Sequence, residues 1–255
     1  MSKLPASAKF IDISDYGRIP GRWIARSLAI TSATPIHVTT AFIITGLLAV
    51  FCILNNFYYA AAALIVLKSI LDAADGELSR LKKTPSHTGR YYDSIADLLL
   101  NFLLLGAIAF ITDTAFGLML LAFFGIQLQG TLYNFYYVIL RNNSNGDTTS
   151  RVFEHEPPTA FPIEKQSTVN KMFAIYSALY GPFDKIIYGL DRRAKDCKPF
   201  PKWFMTFLSM YGLGFQLLII AVLLAIQQHH YIIPFFIGYS LLIVVMILIR
   251  KLFLK

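Results

Sequence analysis

Charge is scarce in this chain: Asp, Glu, Lys and Arg make up 15% of its 255 residues, where soluble globular domains carry about 25%. That shortage argues against an ordinary water-soluble domain. Cysteine is nearly absent too, with only Cys52 and Cys197. Cys52 is expected toward the outer end of the first hydrophobic run and Cys197 in a polar segment, so a disulfide between them is not expected and metal-type cysteine spacing does not occur. Alternating patterns of about ten residues, the mark of a membrane-spanning barrel, are missing. No internal repeat stands out, and no separate basic domain exists to carry nucleic acid. The first 35 residues are too polar for a cleaved signal peptide, so the first span is expected to insert uncleaved.

What is present is apolar. Hydrophobic residues make up 56% of the chain and the mean hydropathy is +0.55, which points to lipid as solvent. Six runs qualify as spans: roughly 38–54, 57–71, 91–111, 115–140, 203–226 and 232–249. Crossing about 30 Å of hydrocarbon takes about 20 helical residues. The second run is short by that count, but helix can continue into Asp72–Arg80. The expected fold is an all-α integral membrane protein with six transmembrane helices. All 23 Lys and Arg fall in the N-terminal arm, residues 80–90, residues 141–202 and the C-terminal tail, or at Lys68. The alternate short loops carry none, so both termini are expected on the cytoplasmic side. The net charge of +8 then reads as attraction to anionic lipid.

Residues 1–255 are read as one membrane unit. In the arm, residues 1–33, Arg18, Arg22 and Arg26 recur every four residues with Trp23, Ile24 and Leu28 between them, the pattern of an amphipathic helix lying at the membrane interface. Thr34-Pro35 marks the start of the first span. The polar stretch 141–202 is expected to hold a loop, with Pro157, Pro158 and Pro162 excluding regular helix there. A cytoplasmic or interfacial helix follows over 167–190, with Met172, Ile175, Leu179 and Ile186 at near-helical spacing.

Acidic residues gather at one place. Asp72 and Asp75 end the second run, and Asp93 and Asp97 begin the third. Residues three or four apart share a helical face, so each pair faces one way and the pairs sit on adjoining helices. A carboxylate at the centre of a membrane helix costs about 2.5–3.5 kcal/mol on insertion scales, and four clustered acids need a partner. An oxygen-only donor set suits Mg²⁺ or Mn²⁺ better than zinc. Two such ions could bind both oxygens of an in-line displacement at phosphorus. Gly76 and Gly89 allow close backbone approach, and Arg80 and Arg90 offer cations to phosphate oxygens.

The order D-x-x-D-G-x-x-S-R, eight residues, then G-x-x-x-D-x-x-x-D resembles the signature of the CDP-alcohol phosphatidyltransferase family, with Ser79 standing where the family has alanine. Thr34-Pro35-Ile36-His37-Val38-Thr39 is similar to the family's T-P-N-x-x-T segment at the first span, with Ile36 replacing asparagine. The resemblance implies a CDP-linked donor, commonly CDP-diacylglycerol, an alcohol acceptor and release of CMP in phospholipid synthesis. It implies that Asp72, Asp75 and Asp93 bind the metals and that Asp97 binds metal or takes the acceptor's proton. Gly76, Ser79, Arg80 and Gly89 would border the CDP moiety. A homodimer is likewise implied, and Gly106 and Ala107 are small enough for close helix contact. The expected location is the cytoplasmic membrane of a bacterium or archaeon, with the site toward the cytoplasm.

The acceptor stays open. Asp75-Gly76-Glu77-Leu78-Ser79-Arg80 resembles family members handling inositol phosphates, while Tyr92–Asp97 is similar to the serine-transferring branch. A phosphorylated acceptor would need cations, for which Lys68, Arg90, Arg141 and Arg151 are the candidates; each also reads as a headgroup contact. His87 reads first as a loop histidine. Two other functions use clustered aspartates. An intramembrane prenyltransferase would normally need two separated D-x-x-D-type motifs. A divalent-cation transporter usually places its acids at the midplane of broken helices, often within inverted repeats.

Overall fold

A computed structural model describes residues 4–144, 156–197 and 200–254. Among them every regular element is helical. Helix α1 spans Arg18–Ala29, α2 Pro35–Leu54, α3 Tyr58–Lys82, α4 His87–Ile111 and α5 Phe116–Asn143. After the polar stretch come α6 (Gln166–Leu190), α7 (Lys202–Leu208), α8 (Leu213–Ala225), α9 (Ile232–Ser240) and α10 (Leu242–Phe253). Short polar turns join the long helices. Asn56, Lys83, Asp113 and Gln227 take left-handed backbone, a conformation that ends a helix and that asparagine and aspartate reach more easily than bulkier residues.

Among the described residues four helical stretches are long and apolar enough to cross a membrane: Pro35–Leu54, His87–Ile111, Phe116–Asn143 and His229–Phe253. The run at 203–226 is not one straight helix. It breaks between Tyr211 and Leu213 and bends by 52°, because Gly212 is extended and Ser14 of the N-terminal arm packs where its Cβ would stand. Helix α3 continues through Asp72–Arg80 as the sequence suggests. It carries Lys68, Asp72, Asp75, Glu77, Arg80 and Lys82 in 25 residues, too many charges for a simple apolar span. Large side chains such as Phe110 (78% exposed) and Leu241 (71%) point outward, as lipid-facing residues do.

Among the described residues two large apolar clusters hold the bundle, with two smaller ones beside them. One joins α2, α3, α4, α5, α8 and α9 through Ile53, Ile65, Leu105, Ile108, Phe123, Ile220 and Phe236. The other joins the second half of α5 to α7 and α10 through Tyr136, Phe204 and Ile247. Beside the second cluster Arg250 Nε donates to Asp191 at 2.6 Å and Tyr136 Oη to the same carboxylate at 2.6 Å. Asp191 is 1% exposed and Arg250 4%.

The N-terminal arm forms a helix with one face against the protein and the other exposed. Gly21 and Ala25 of α1 are buried, and a Cβ on Gly21 would lie 3.0 Å from the Ala74 nitrogen and 3.1 Å from the Ile70 oxygen. Helix α1 therefore touches α3 backbone to backbone. Ile24 and Leu28 pack beside Ala74 and Leu78, while Trp23 and Ile19 stay exposed. Helix α6 is present over the expected range, but the side chains it buries are Val169, Phe183 and Ile187. Ile175 and Ile186 face outward, since α6 turns the other stripe toward α4 and α5.

Replacing Arg250 by Met leaves Asp191 charged and buried, a change that costs about 3–5 kcal/mol. Thermal unfolding in detergent is expected to show a markedly lower midpoint for Arg250→Met, and a partial recovery when Asp191→Asn is added, which keeps an acceptor for Tyr136.

Candidate active site

The site is built where α3 ends and α4 begins. Asp72, Asp75 and Asp93 each offer a carboxylate oxygen, and these oxygens lie within 4.8 Å of one another. Thr39 of α2 donates its hydroxyl to Asp75 Oδ2 at 2.7 Å, which fixes that carboxylate's rotamer. Asp93 Oδ1 is buried without a hydrogen-bond partner among the described residues. A buried carboxylate oxygen left unpaired is costly, and three converging acids, one of them orphaned, fit a divalent cation bound by oxygen.

Asp97 stands apart from that triad. It pairs with Lys68 of α3, whose Nζ also lies 3.7 Å from Asp72 Oδ2 and 4.6 Å from the centre of the Phe42 ring. Lys68 is 2% exposed, so it meets the aspartates from inside the protein.

The residues expected around the CDP moiety come together. Gly76, Ser79, Arg80 and Gly89 all line one cavity of about 1500 Å³, with Asp75, Asp93 and Asp97 in the same wall. Each has a local cause. Ser79 Oγ donates to the Thr84 carbonyl at 3.1 Å and so closes the turn after α3. Arg80 Nη2 meets Glu77 Oε1 at 3.1 Å, while its Nε is buried without a partner among the described residues. Glu77 also takes Arg22 at 3.4 Å and Arg18 at 3.7 Å, which ties α1 to the motif helix. A Cβ on Gly76 would meet Arg80 at an ordinary 3.6 Å, whereas one on Gly89 would press on Ser86 Oγ at 3.1 Å. Packing alone therefore asks for glycine at 89 but not at 76.

Of the cations considered for the acceptor, Arg90 lines the cavity and stacks over Tyr91 at 4.6 Å. Lys68 lies behind Asp97. Arg141 is 2% exposed, sits 5.9 Å from the Tyr137 ring and is not in the cavity wall. Arg151 lies outside the described residues. His87 stacks on Phe161 at 4.6 Å.

Sequence reasoning missed Thr39, Glu77 and Glu164. Glu164 precedes α6 yet binds the start of α4: its carboxylate accepts from Ser86 Oγ at 2.8 Å, His87 N at 3.1 Å and Thr88 N at 2.7 Å. It thus joins Ser86 in capping α4, the helix that carries Asp93 and Asp97. Ser86 could be read as a cap from its place before the helix; Glu164, 77 residues from His87, could not.

A CDP-alcohol phosphatidyltransferase family model matches residues 32–209, well over half of the chain. The chain belongs to the CDP-alcohol phosphatidyltransferase family. It is accordingly a membrane-bound transferase of substituted phosphate groups in phospholipid biosynthesis, a family that moves a phospho-alcohol group from a CDP-linked donor to an alcohol and uses divalent metal ions. A search of curated proteins finds no match to this chain. The family takes the place of the prenyltransferase and cation-transporter readings.

Burial works to raise the pKa of Glu164, but the Thr88 N–H, the Ser86 and Thr88 hydroxyls and the His87 N–H hold it down, at about 2. A carboxylate depressed in the folded state adds stability above its unfolded value, about 4.5, and loses it as pH falls toward 2. Thermal midpoints measured from pH 6 to pH 2.5 are therefore expected to fall for the parent protein. Glu164→Gln should start lower and converge with it at the acid end; parallel curves would deny Glu164 this role.

Proposed function

We propose that this protein transfers a phosphatidyl group from CDP-diacylglycerol to an alcohol, releasing CMP at the cytoplasmic face of the membrane. The observation that carries the reading is the convergence of Asp72, Asp75 and Asp93 within 4.8 Å, with Asp75 and Asp93 in the wall of a cavity shared with Gly76, Arg80 and Gly89. A lipid donor is supported by the site's place where α3 ends and the apolar span α4 begins, where a polar head and acyl tails can both reach. In this reading α3 and the bent α7–α8 pair cross the membrane with the four apolar spans, giving six crossings with both termini cytoplasmic. The distribution of Lys and Arg supports that orientation. A homodimer belongs to the reading on the family resemblance alone.

Asp72, Asp75 and Asp93 would hold Mg²⁺ or Mn²⁺, as two ions; bound there, such ions neutralise pyrophosphate charge and stabilise CMP as it leaves. Arg80, whose Nε has no partner among the described residues, binds phosphate oxygens. Asp97 receives the proton of the acceptor hydroxyl as its oxygen attacks phosphorus. Lys68 is best described as a positioning residue: its contact with Asp97 sets where that carboxylate points.

Removing a general base costs about 10²–10⁴-fold in rate. Asp97→Asn is therefore expected to lower kcat by that amount while CDP-diacylglycerol still binds, whereas Asp93→Asn should also weaken donor binding and its metal dependence. The readouts are CMP release and donor binding by purified protein in detergent, with and without EDTA. Equal loss of donor binding in both variants would speak against the division of labour. A second series concerns Lys68→Met. It should reduce kcat at least tenfold with little change in the donor's KM, and Lys68→Arg should restore part of the loss.

A further inference from the structure

The acceptor's chemistry can be read from the part of the cavity that the donor motif does not occupy. This step rests on the transferase reading above. Asp93, Asp97 and Asn101 follow one another every fourth residue of α4 and share a face, so Asn101 lies one turn, about 6 Å, beyond Asp97. Across from that face α5 lines the same cavity with Gln127, Thr131 and Asn134. Asn101 is 7% exposed, Gln127 6% and Thr131 8%. The Gln127 side-chain nitrogen is buried with no hydrogen-bond partner among the described residues. Its neighbour Gln129, by contrast, is satisfied by Ser240 and Gln216. Burying an amide N–H unpaired is unfavourable, so a donor left this way beside a cavity points to a ligand that accepts from it.

These side chains are amides and a hydroxyl, able both to donate and to accept but carrying no charge. No cation of the cavity wall lies on α5 or on α4 beyond Asp93 among the described residues. Arg80, Lys82, Lys83 and Arg90 belong to the α3–α4 turn, Lys165 follows the residue that caps it, and Lys185 is an exposed residue of α6. A phosphate group is recognised by charge-assisted hydrogen bonds from Arg or Lys, and a row of hydroxyls by groups that both donate and accept. We infer that the acceptor is an uncharged polyol. Its attacking hydroxyl faces Asp97 and its remaining hydroxyls bond to Asn101, Gln127 and Thr131. The hydroxyl oxygen forms the new bond to phosphorus, the bond from that phosphorus to the CMP oxygen breaks, and the hydroxyl proton passes to Asp97.

The test uses the full-length protein in detergent with Mg²⁺ and CDP-diacylglycerol. CMP release is measured with glycerol and myo-inositol, with glycerol 3-phosphate and inositol 1-phosphate, and with serine, while donor binding is followed separately by calorimetry. A free polyol is expected to exceed its phosphate ester and serine at least tenfold in kcat/KM. Gln127→Leu and Thr131→Val should each raise the polyol KM at least fivefold with donor affinity unchanged, which also shows that the variants fold. Preference for a phosphorylated acceptor or for serine, or donor binding without turnover of any polyol, would overturn the inference and leave the transferase reading standing. Failure to bind the donor at all would overturn the transferase reading, and this inference with it.

Discussion

Carboxylates gathered between packed helices must be neutralised by something, and the surroundings of α3 and α4 are arranged around that demand. Lys68 answers Asp97 and Asp72, and Thr39 answers Asp75. Arg18, Arg22 and Arg80 answer Glu77. The Asp93 oxygen that the described residues leave unpaired belongs to the triad best suited to a metal. A low dielectric strengthens each of these pairings and penalises each omission. The counter-charges therefore decide which helices must be neighbours, and much of the topology follows from them.

The two kinds of contact in this protein divide the labour by position. Apolar packing through Ile65, Leu105, Ile108 and Phe123 fixes the bundle away from the aspartates and makes no chemical distinction among its members. Polar ties cluster near the site and come from distant parts of the chain: Thr39 from α2, Glu164 from the segment before α6, Asp12 reaching Tyr133 of α5 at 2.5 Å. A bundle held by the first kind alone would leave the carboxylates free to choose rotamers. The second kind removes that freedom at Asp75 and Asp97.

Much of this was legible in the sequence because it is local. The four aspartates repeat at helical spacing within 26 residues, so the convergence of Asp72, Asp75 and Asp93 needs only two adjoining helices and a turn. The bounds of α2, α4 and α5 follow from apolar runs ended by Thr34-Pro35, Asn55-Asn56 and Thr112–Thr114. What escaped depends on distant partners. The break at Gly212 arises because Ser14 occupies the space beside it. The helix α6 was legible by its spacing, but its cavity-lining face was not, because that face mixes Phe173, Tyr176 and Tyr180 with Ser177 and does not stand out by hydropathy. The arm's Ile24 and Leu28 suit lipid and protein equally well, and only the small surfaces of Gly21 and Ala25 decide between them.

The contact between α1 and α3 has a geometrical consequence. Gly17 and Gly21 let α1 rest on the Ser69–Ala74 backbone at distances that leave no room for a Cβ, and arginines on either side of Gly21 grip Glu77 from the same helix. A smooth helix in a bundle can turn about its own axis at small cost. Each residue is offset by about 100° from the next, so even a modest turn would swing Asp72 and Asp75 out of register with Asp93. Held along one edge and gripped by charge, α3 cannot slip in phase. The short N-terminal arm thus sets the angular position of the helix that carries Asp72 and Asp75, as a key sets a shaft.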